Sequence, residues 1–285
     1  MNKYFRSFLA GVSSIIIGST SFAADNVVIK GSTTVLPIAQ AALESYMKAN
    51  PGVNISLSGG GSGEGIKALI DKSADIATSS REIKDNEVTQ AKAKGVSPKA
   101  NIVAIDAIVP IVNPKNKVKD LTIDQLSQIY QGKITNWKDV GGDNLAIVIV
   151  SRDSSSGTFE SWAHLVLGGA KVSPKAQLQA SNGAIVQTIS KNRYAIGYIG
   201  IGYVNKTVKP LTVGGIQATA KTAIDKTYPV ARPLYMYTNG DPKGQTAGYI
   251  KFVLSADGQK LVAKEGFVPL TTAAESKRKS VKGKK

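Results

Sequence analysis

Leu145-Ala146-Ile147-Val148-Ile149-Val150-Ser151-Arg152-Asp153-Ser154-Ser155-Ser156-Gly157-Thr158 reads as an apolar strand that runs into a hydroxyl-rich turn, and Phe159 to Leu167 continues as a helix. The turn therefore carries a fixed cationic fork (Arg152), four hydroxyls (Ser154, Ser155, Ser156, Thr158) and the free N–H groups of a helix start. These are the parts of a site for a small tetrahedral oxyanion.

Working outward, the same strand–loop–helix grammar recurs. Gly31-Ser32-Thr33-Thr34-Val35-Leu36-Pro37 joins the strand Val27–Ile29 to a helix over Pro37–Ala49, stopped by Asn50-Pro51-Gly52. An ordinary N-cap explains its hydroxyls equally well. Ser58-Gly59-Gly60-Gly61-Ser62-Gly63-Glu64-Gly65 joins the strand Val53–Leu57 to a short helix over Gly65–Ser73. Its glycines allow a close backbone approach, and no Gly-Lys-Ser/Thr or dinucleotide fingerprint accompanies them. Thr78-Ser79-Ser80-Arg81 ends a third strand, Asp75–Thr78. Arg81 either reaches the same ligand or pairs with Glu82 or Glu64.

The alternation βαβαβ predicts a parallel sheet, with ligand loops beyond the carboxyl ends of the strands. Further along, Ile102–Val112 is a long apolar run broken by Asp106 and Pro110. Thr122 caps a helix through Tyr130. Helices are expected over Ala184–Ser190, Thr246–Leu254 and Gln259–Lys264, and strands over Ala195–Ile199 and Arg232–Thr238. This spread predicts two α/β lobes, with chain crossings near Asp106–Asn113 and Tyr228–Tyr237.

Lys3 and Arg6, the apolar Phe8–Ile17 and Ser21-Phe22-Ala23 have the layout of a secretory signal peptide over 1–23. The apolar run is too short for a membrane anchor. The 285-residue chain has no cysteine, which excludes disulfides, a lipidated Cys, thiol catalysis and thiolate metal sites. Of the formal charge of +16, two units belong to 1–23 and six to the tail 276–285, leaving +8 on the body. A basic body favours encounter with anions without naming one. The tail reads as disordered and solvated, and no basic stripe with interleaved aromatics suggests nucleic acid.

Catalytic options are few. The single histidine, His164, is expected to pack on its helix and pair with Glu160 at i, i+4. One histidine builds no His-rich metal site, and no Gly-x-Ser-x-Gly elbow is present. Asp153 or Glu160 is placed to orient Arg152, and Asp153 to accept a proton from a protonated oxyanion.

Taken in order, Gly31–Thr34, Gly61–Lys67, Thr78–Arg81, Ile129–Gly142, Arg152–Thr158, Tyr228–Leu234 and Phe252–Leu270 resemble the phosphate-binding proteins of bacterial phosphate ABC transporters. The resemblance covers nearly the whole chain after residue 23. It implies an α/β, two-lobed type II periplasmic binding protein fold with a ligand cleft between the lobes. Lobe 1 is expected over 24–107 plus 236–275 and lobe 2 over 108–235.

The resemblance also implies the ligand set. Arg152, Ser156, Gly157 and Thr158 match the family's Arg-x-x-x-Ser-Gly-Thr element, Ser62 its Gly-Ser loop donor, and Thr33 and Thr34 its first loop. Ser80 stands where some members carry a ligand-accepting Asp. Ser154 stands where many carry an acid, and here the acid comes one residue earlier, as Asp153. With Ser32 and Arg81, these complete the expected phosphate site.

The function implied is capture of inorganic phosphate in the periplasm and delivery to membrane permease subunits of an ABC transporter. The protein would act as a monomer, without catalysis, cofactor or nucleic acid. The alternatives are a secreted phosphomonoesterase on the same fold and a binder of another tetrahedral oxyanion.

Overall fold

The computed structural model describes residues 26–270, so the expected signal segment and the basic tail both lie outside the described residues. In chain order, β1 (Asn26–Gly31), α1 (Leu36–Ala49), β2 (Asn54–Gly59), α2 (Ser62–Ile70), β3 (Ile76–Ser79) and α3 (Asp85–Ala93) lead into the 15-residue strand β4 (Pro98–Val112). Then come β5 (Asp120–Leu121), α4 (Ile123–Tyr130), β6 (Val148–Arg152), α5 (Gly157–Leu165), β7 (Gln177–Gln179), α6 (Asn182–Lys191) and β8 (Ala195–Gly200). The chain closes with β9 (Lys209–Pro210), β10 (Thr212–Val213), α7 (Ala220–Ile224), β11 (Ala231–Asn239), α8 (Gly244–Leu254) and α9 (Ala256–Lys264).

The strands join in the order β2-β1-β3-β11-β4-β8-β6-β7, with β9 also on β4. At each end the pairing is parallel (β2-β1-β3 and β8-β6-β7), as apolar strands followed by helices require. In the middle, β4 and β11 run antiparallel from Ala231↔Ala107 to Asn239↔Pro98.

These two strands are where the hydrophobic core changes hands. Val103, Ala104, Leu234 and Met236 pack with Ile29, Ile38, Tyr249 and Val253. Ala107, Ile108, Ile111 and Val230 pack with Tyr130, Trp162, Ile185 and Tyr198 instead. The molecule is thus an α/β protein of two lobes joined through β4 and β11, as expected of a two-lobed binding-protein fold. A third cluster, including Ile66, Leu69, Ala91 and Tyr237, covers the other face of the first lobe's sheet.

Several boundaries differ from the sequence reading, for physical reasons. Asp106 does not break β4, because a buried arginine from β11 takes its charge. β4 begins at Pro98 rather than Ile102 because β11 offers partners as far as Asn239. α2 starts at Ser62 rather than Gly65, immediately after Gly61 at φ 128°. α9 starts three residues before Gln259, with Ser255 accepting from the Gly258 N–H. The Thr122 cap forms as expected, its hydroxyl accepting from Gln125 N at 3.1 Å. The helix α3 and the short strands β5, β7, β9 and β10 carry too little periodic apolar pattern to be read from sequence.

Behind the loop at Arg152, Trp162 stacks on Tyr198 (centroids 4.4 Å, 7° between planes) and meets Tyr130 edge-on at 5.2 Å. All three rings are fully buried. Trp162→Ala is expected to cost about 3–5 kcal/mol, the usual cost of emptying an aromatic core position. Urea unfolding followed by circular dichroism measures it, and a loss under about 1 kcal/mol would show that the cluster does not brace the lobe.

Candidate functional site

The cleft is built from the ends of strands and the first turns of the helices that follow. β1 delivers Ser32, Thr33 and Thr34, α2 opens on Ser62, and β3 ends beside Ser80. From the second lobe, β6 ends at Arg152, α5 opens on Gly157 and Thr158 with Ser156 as its N-cap, and α6 opens on Asn182. Ser32, Thr33, Thr34, Ser62, Ser80, Arg152, Ser156, Thr158 and Asn182 are all buried, which is unusual for so many polar side chains in one place.

The two lobes meet through these residues. Thr34 Oγ1 lies 2.8 Å from Thr158 Oγ1. Asn182 Nδ2 donates to Thr33 Oγ1 and Thr34 Oγ1, each at 3.1 Å. Ser155 Oγ donates to the Gly60 carbonyl at 3.0 Å, and Gly63 N donates to the Ser155 carbonyl at 3.0 Å. Gly157 is tight against both lobe-1 serines: a Cβ there would stand 2.3 Å from Ser62 Oγ and 2.8 Å from Ser80 Oγ. Only glycine allows that approach.

Arg152 is the electrostatic centre. It is 1% exposed. Nε donates to the Gln179 carbonyl and Nη2 to the Ala180 carbonyl, both at 2.9 Å. Nη1 is buried without a partner. Burial pulls its pKa down from the usual arginine value, with Asp153 the main group opposing the shift. Beside it, the N–H groups of Gly157 and Thr158 sit in the first turn of α5, where no carbonyl one turn earlier is available. A buried cation with a free N–H, next to a helix N-terminus, calls for an anion.

Asp153 is arranged differently from the expectation that it orients Arg152. Its Oδ1 accepts from Ser155 N at 2.9 Å and lies 2.5 Å from Ser155 Oγ, whose single proton is shared between this carboxylate and the Gly60 carbonyl. Its Oδ2 is buried without a partner and lies 3.7 Å from Arg152 Nη2. The main-chain carbonyls, not a carboxylate, hold the Arg152 fork.

The expectations for Arg81, Glu160 and His164 are corrected here. Arg81 is not directed at the cleft ligand. Its guanidinium donates to both carboxylate oxygens of Glu87 (2.8 and 2.7 Å) and pairs with Glu160 of the other lobe at 3.0 Å. Glu160 is shared with Lys84 at 2.7 Å. Glu160 is therefore engaged by cations and orients neither Arg152 nor His164. His164 is exposed rather than packed.

Other residues at the site were not singled out from sequence. Asp106 is fully buried and accepts from Arg232 Nε at 3.1 Å and Nη2 at 2.9 Å. Arg232 also donates to Thr158 Oγ1 at 2.9 Å and to the Gly157 carbonyl at 3.1 Å. Burial pushes the Asp106 carboxyl up and Arg232 down, each opposed by the other's charge. Two opposite charges inside two apolar strand-like runs were the available signal for this pair. Asn182 hid because the helix was expected to begin at Ala184, although Ser181 caps it with a 3.1 Å bond from Ala184 N. Among the described residues, no group of three or more His, Cys, Asp or Glu side chains is gathered to hold a metal ion.

With this geometry in hand, comparisons place the chain among known proteins. Residues 19–257 match the PBP superfamily domain. The phosphate-binding protein PstS of Borreliella burgdorferi is 33% identical over 256 residues, covering 86% of this chain and 90% of that one. A Clostridium perfringens protein, assigned as a phosphate ABC transporter substrate-binding protein and solved with bound phosphate, superposes with a TM-score of 0.80 at 36% identity. That match covers 86% of this chain and 99% of that one. An ABC-type phosphate transport receptor of Vibrio cholerae superposes at 0.71 and 33% identity, covering 85% and 99%. Matches of this length and identity show that the chain belongs to the PBP superfamily and, within it, to the PstS phosphate-binding protein family.

Proposed function

We propose that this protein binds one inorganic phosphate in the cleft and serves as the substrate-binding component of a phosphate ABC transporter. The observation that carries the reading is the unpartnered, buried Nη1 of Arg152, set beside the first turn of α5. Arg152 supplies the compensating charge. Ser156, Gly157 and Thr158 supply donors from one lobe, and Ser32, Thr33, Thr34, Ser62 and Ser80 from the other. Asp153 Oδ2, an acceptor with no donor of its own, takes the ligand's proton. The relatives' names and the phosphate bound in the Clostridium structure support this choice of anion.

The lobes divide close to the expected bounds, between Ala104 and Ala107 on β4 and between Val230 and Leu234 at the start of β11. Opening and closing occur along β4 and β11, where the core changes hands, driven by contacts made only in the closed state. The protein acts as an exported monomer, with 1–23 removed, and passes phosphate to permease subunits without chemistry. Among the described residues no helix is long and apolar enough to cross a membrane. A phosphomonoester assay on purified protein checks the non-enzymatic part: release of phosphate at rates above background would overturn it.

Arg152→Ala leaves a bound dianion under-compensated, a loss on the order of 2–5 kcal/mol in phosphate binding. Calorimetry is expected to show that collapse while the far-UV circular dichroism of the apo protein stays native. Tight binding by the variant would remove Arg152 from the site.

A ligand that bridges both lobes stabilises the native state by roughly 4 kcal/mol at a thousandfold excess over Kd. The melting temperature is expected to rise with phosphate but not with chloride at equal ionic strength. An equal rise with both salts would mean general screening of a basic protein.

Asp153→Asn replaces the candidate acceptor by a group of the same shape. It is expected to weaken discrimination of phosphate from fully ionised sulfate more than it weakens phosphate binding. The ratio of the two dissociation constants, wild type against variant, decides the matter, and an unchanged ratio would end the selectivity role.

A further inference from the structure

The hydroxyls around the cleft share a pattern beyond their number. Almost every one already accepts a hydrogen bond from a nitrogen that cannot act as an acceptor. Ser32 Oγ accepts from Thr34 N at 3.1 Å, Ser62 Oγ from Ser80 N at 3.0 Å, and Ser156 Oγ from Phe159 N at 3.2 Å. Those three donors are main-chain. Three others, on Thr33, Thr34 and Thr158, are fed by side chains: Asn182 for the first two and Arg232 for the third; the exception is Ser80, whose hydroxyl lies 3.3 Å from Ser62 Oγ.

The orientation of Asn182 is fixed by its own surroundings. Gly200 N lies 3.1 Å from Oδ1 and can only donate. The amide oxygen must therefore face Gly200, which puts Nδ2, with two hydrogens and no acceptor capacity, toward the two threonines. Asn182 is 0% exposed, so water does not compete for these bonds. A hydroxyl that accepts from a fixed N–H keeps its own proton for another partner. Thr34 and Thr158, 2.8 Å apart, use one of their two protons on each other. The proton of the other hydroxyl and that of Thr33 are left to donate.

We infer that Asn182 and Arg232 are positioning residues that set the direction of the Thr33, Thr34 and Thr158 hydroxyl protons, so that this wall of the cleft offers donors and selects oxyanion oxygens that carry no proton. The inference deepens the phosphate reading and rests on it. It explains why an amide and a guanidinium stand behind the threonines. A carboxylate in either place would draw the hydroxyl protons to itself and turn lone pairs toward the ligand. It also leaves the ligand's own proton to an acceptor other than these hydroxyls, for which Asp153 Oδ2, buried without a hydrogen-bond partner, is the candidate.

Asn182→Asp and Asn182→Ala separate polarity from structure. Asn182→Asp keeps the size of the side chain and the acceptor for Gly200 N, but replaces both donated hydrogens by an acceptor. Asn182→Ala loses every bond, orphans Gly200 N, and leaves the threonine hydroxyls free to rotate. The charged and titratable groups tied to this corner come from each element around it. Arg152 of β6 bonds the Ala180 carbonyl, and Arg232 of β11 bonds Thr158. Asp106 of β4 accepts from Ile201 N, Tyr203 donates to the Thr33 carbonyl, and Tyr198 of β8 contacts Arg152 N. All of these residues are retained in both variants.

Phosphate affinity is measured by calorimetry at about pH 8 and about pH 5 on wild type and both variants, each checked for native apo circular dichroism and melting. Asn182→Asp is expected to lose affinity on the order of a hundredfold at the higher pH and Asn182→Ala on the order of tenfold, although Asn182→Ala melts lower. The Asn182→Asp loss, taken as a ratio to wild type, is expected to shrink at the lower pH as the new carboxyl regains a proton to donate. The Asn182→Ala ratio is expected to stay constant. Should Asn182→Asp fail to fold, a loss with a constant ratio for Asn182→Ala still supports the inference, and wild-type affinity in that variant overturns it. Losses that follow the melting order, with Asn182→Ala the worse binder at both pH values, would show a merely structural role. A wild-type protein that does not bind phosphate at all would instead overturn the reading of the site, and this inference with it.

Discussion

At the cleft two buried arginines, Arg152 and Arg232, are set against one fully buried carboxylate, Asp106, and the cleft is organised around that imbalance. Asp106 is committed to Arg232 by two hydrogen bonds. Arg152 receives only the carbonyls of Gln179 and Ala180 and a 3.7 Å approach from Asp153. Burying a charge is costly unless it is paired, so a guanidinium held dry with one unmet N–H face is stable only with help from its surroundings. The help comes from the carbonyl acceptors, and the N–H that remains unmet is the one proposed to meet the ligand. The compensating charge is left for an anion to bring.

The same imbalance explains why the lobes come together where they do. The closing contacts are backbone and hydroxyl bonds around Gly60–Gly63, Ser155 and Thr158, with an ion pair from Arg81 to Glu160 at the rim. Each is modest by itself, since neutral hydrogen bonds contribute about 0.5–1.5 kcal/mol. An anion that touches both loops adds a charge-assisted set of bonds available only when the lobes meet, which couples binding to closure. Trp162 and Tyr198 stack behind β6, in the core of the second lobe's half of the site.

Much of this was legible in the sequence. Strand–loop–helix repeats with Ser, Thr and Gly at the junctions displayed the architecture and the loops at Gly31–Pro37, Ser58–Gly65 and Arg152–Thr158, because helix starts impose a local chemistry that sequence displays directly. Arg152 was legible because a charge directly after an apolar run, before Ser-Gly-Thr, has few other uses. Arg81 was misplaced for the complementary reason. Its partners, Glu87 and Glu160, lie 6 and 79 positions away, and only the fold reveals that they surround it. Asn182 and Arg232 were hidden because their role depends on which atoms face the threonines, a property of packing rather than of pattern.

The central claim is that the unmet N–H of Arg152 is where an anion sits. A crystal structure of the protein grown with phosphate tests it most directly. The account predicts density for one tetrahedral anion within hydrogen-bond distance of Arg152 Nη1 and of the Gly157 and Thr158 N–H groups, with the lobes closed upon it. An anion bound elsewhere, with Arg152 Nη1 paired to a protein atom, would contradict it.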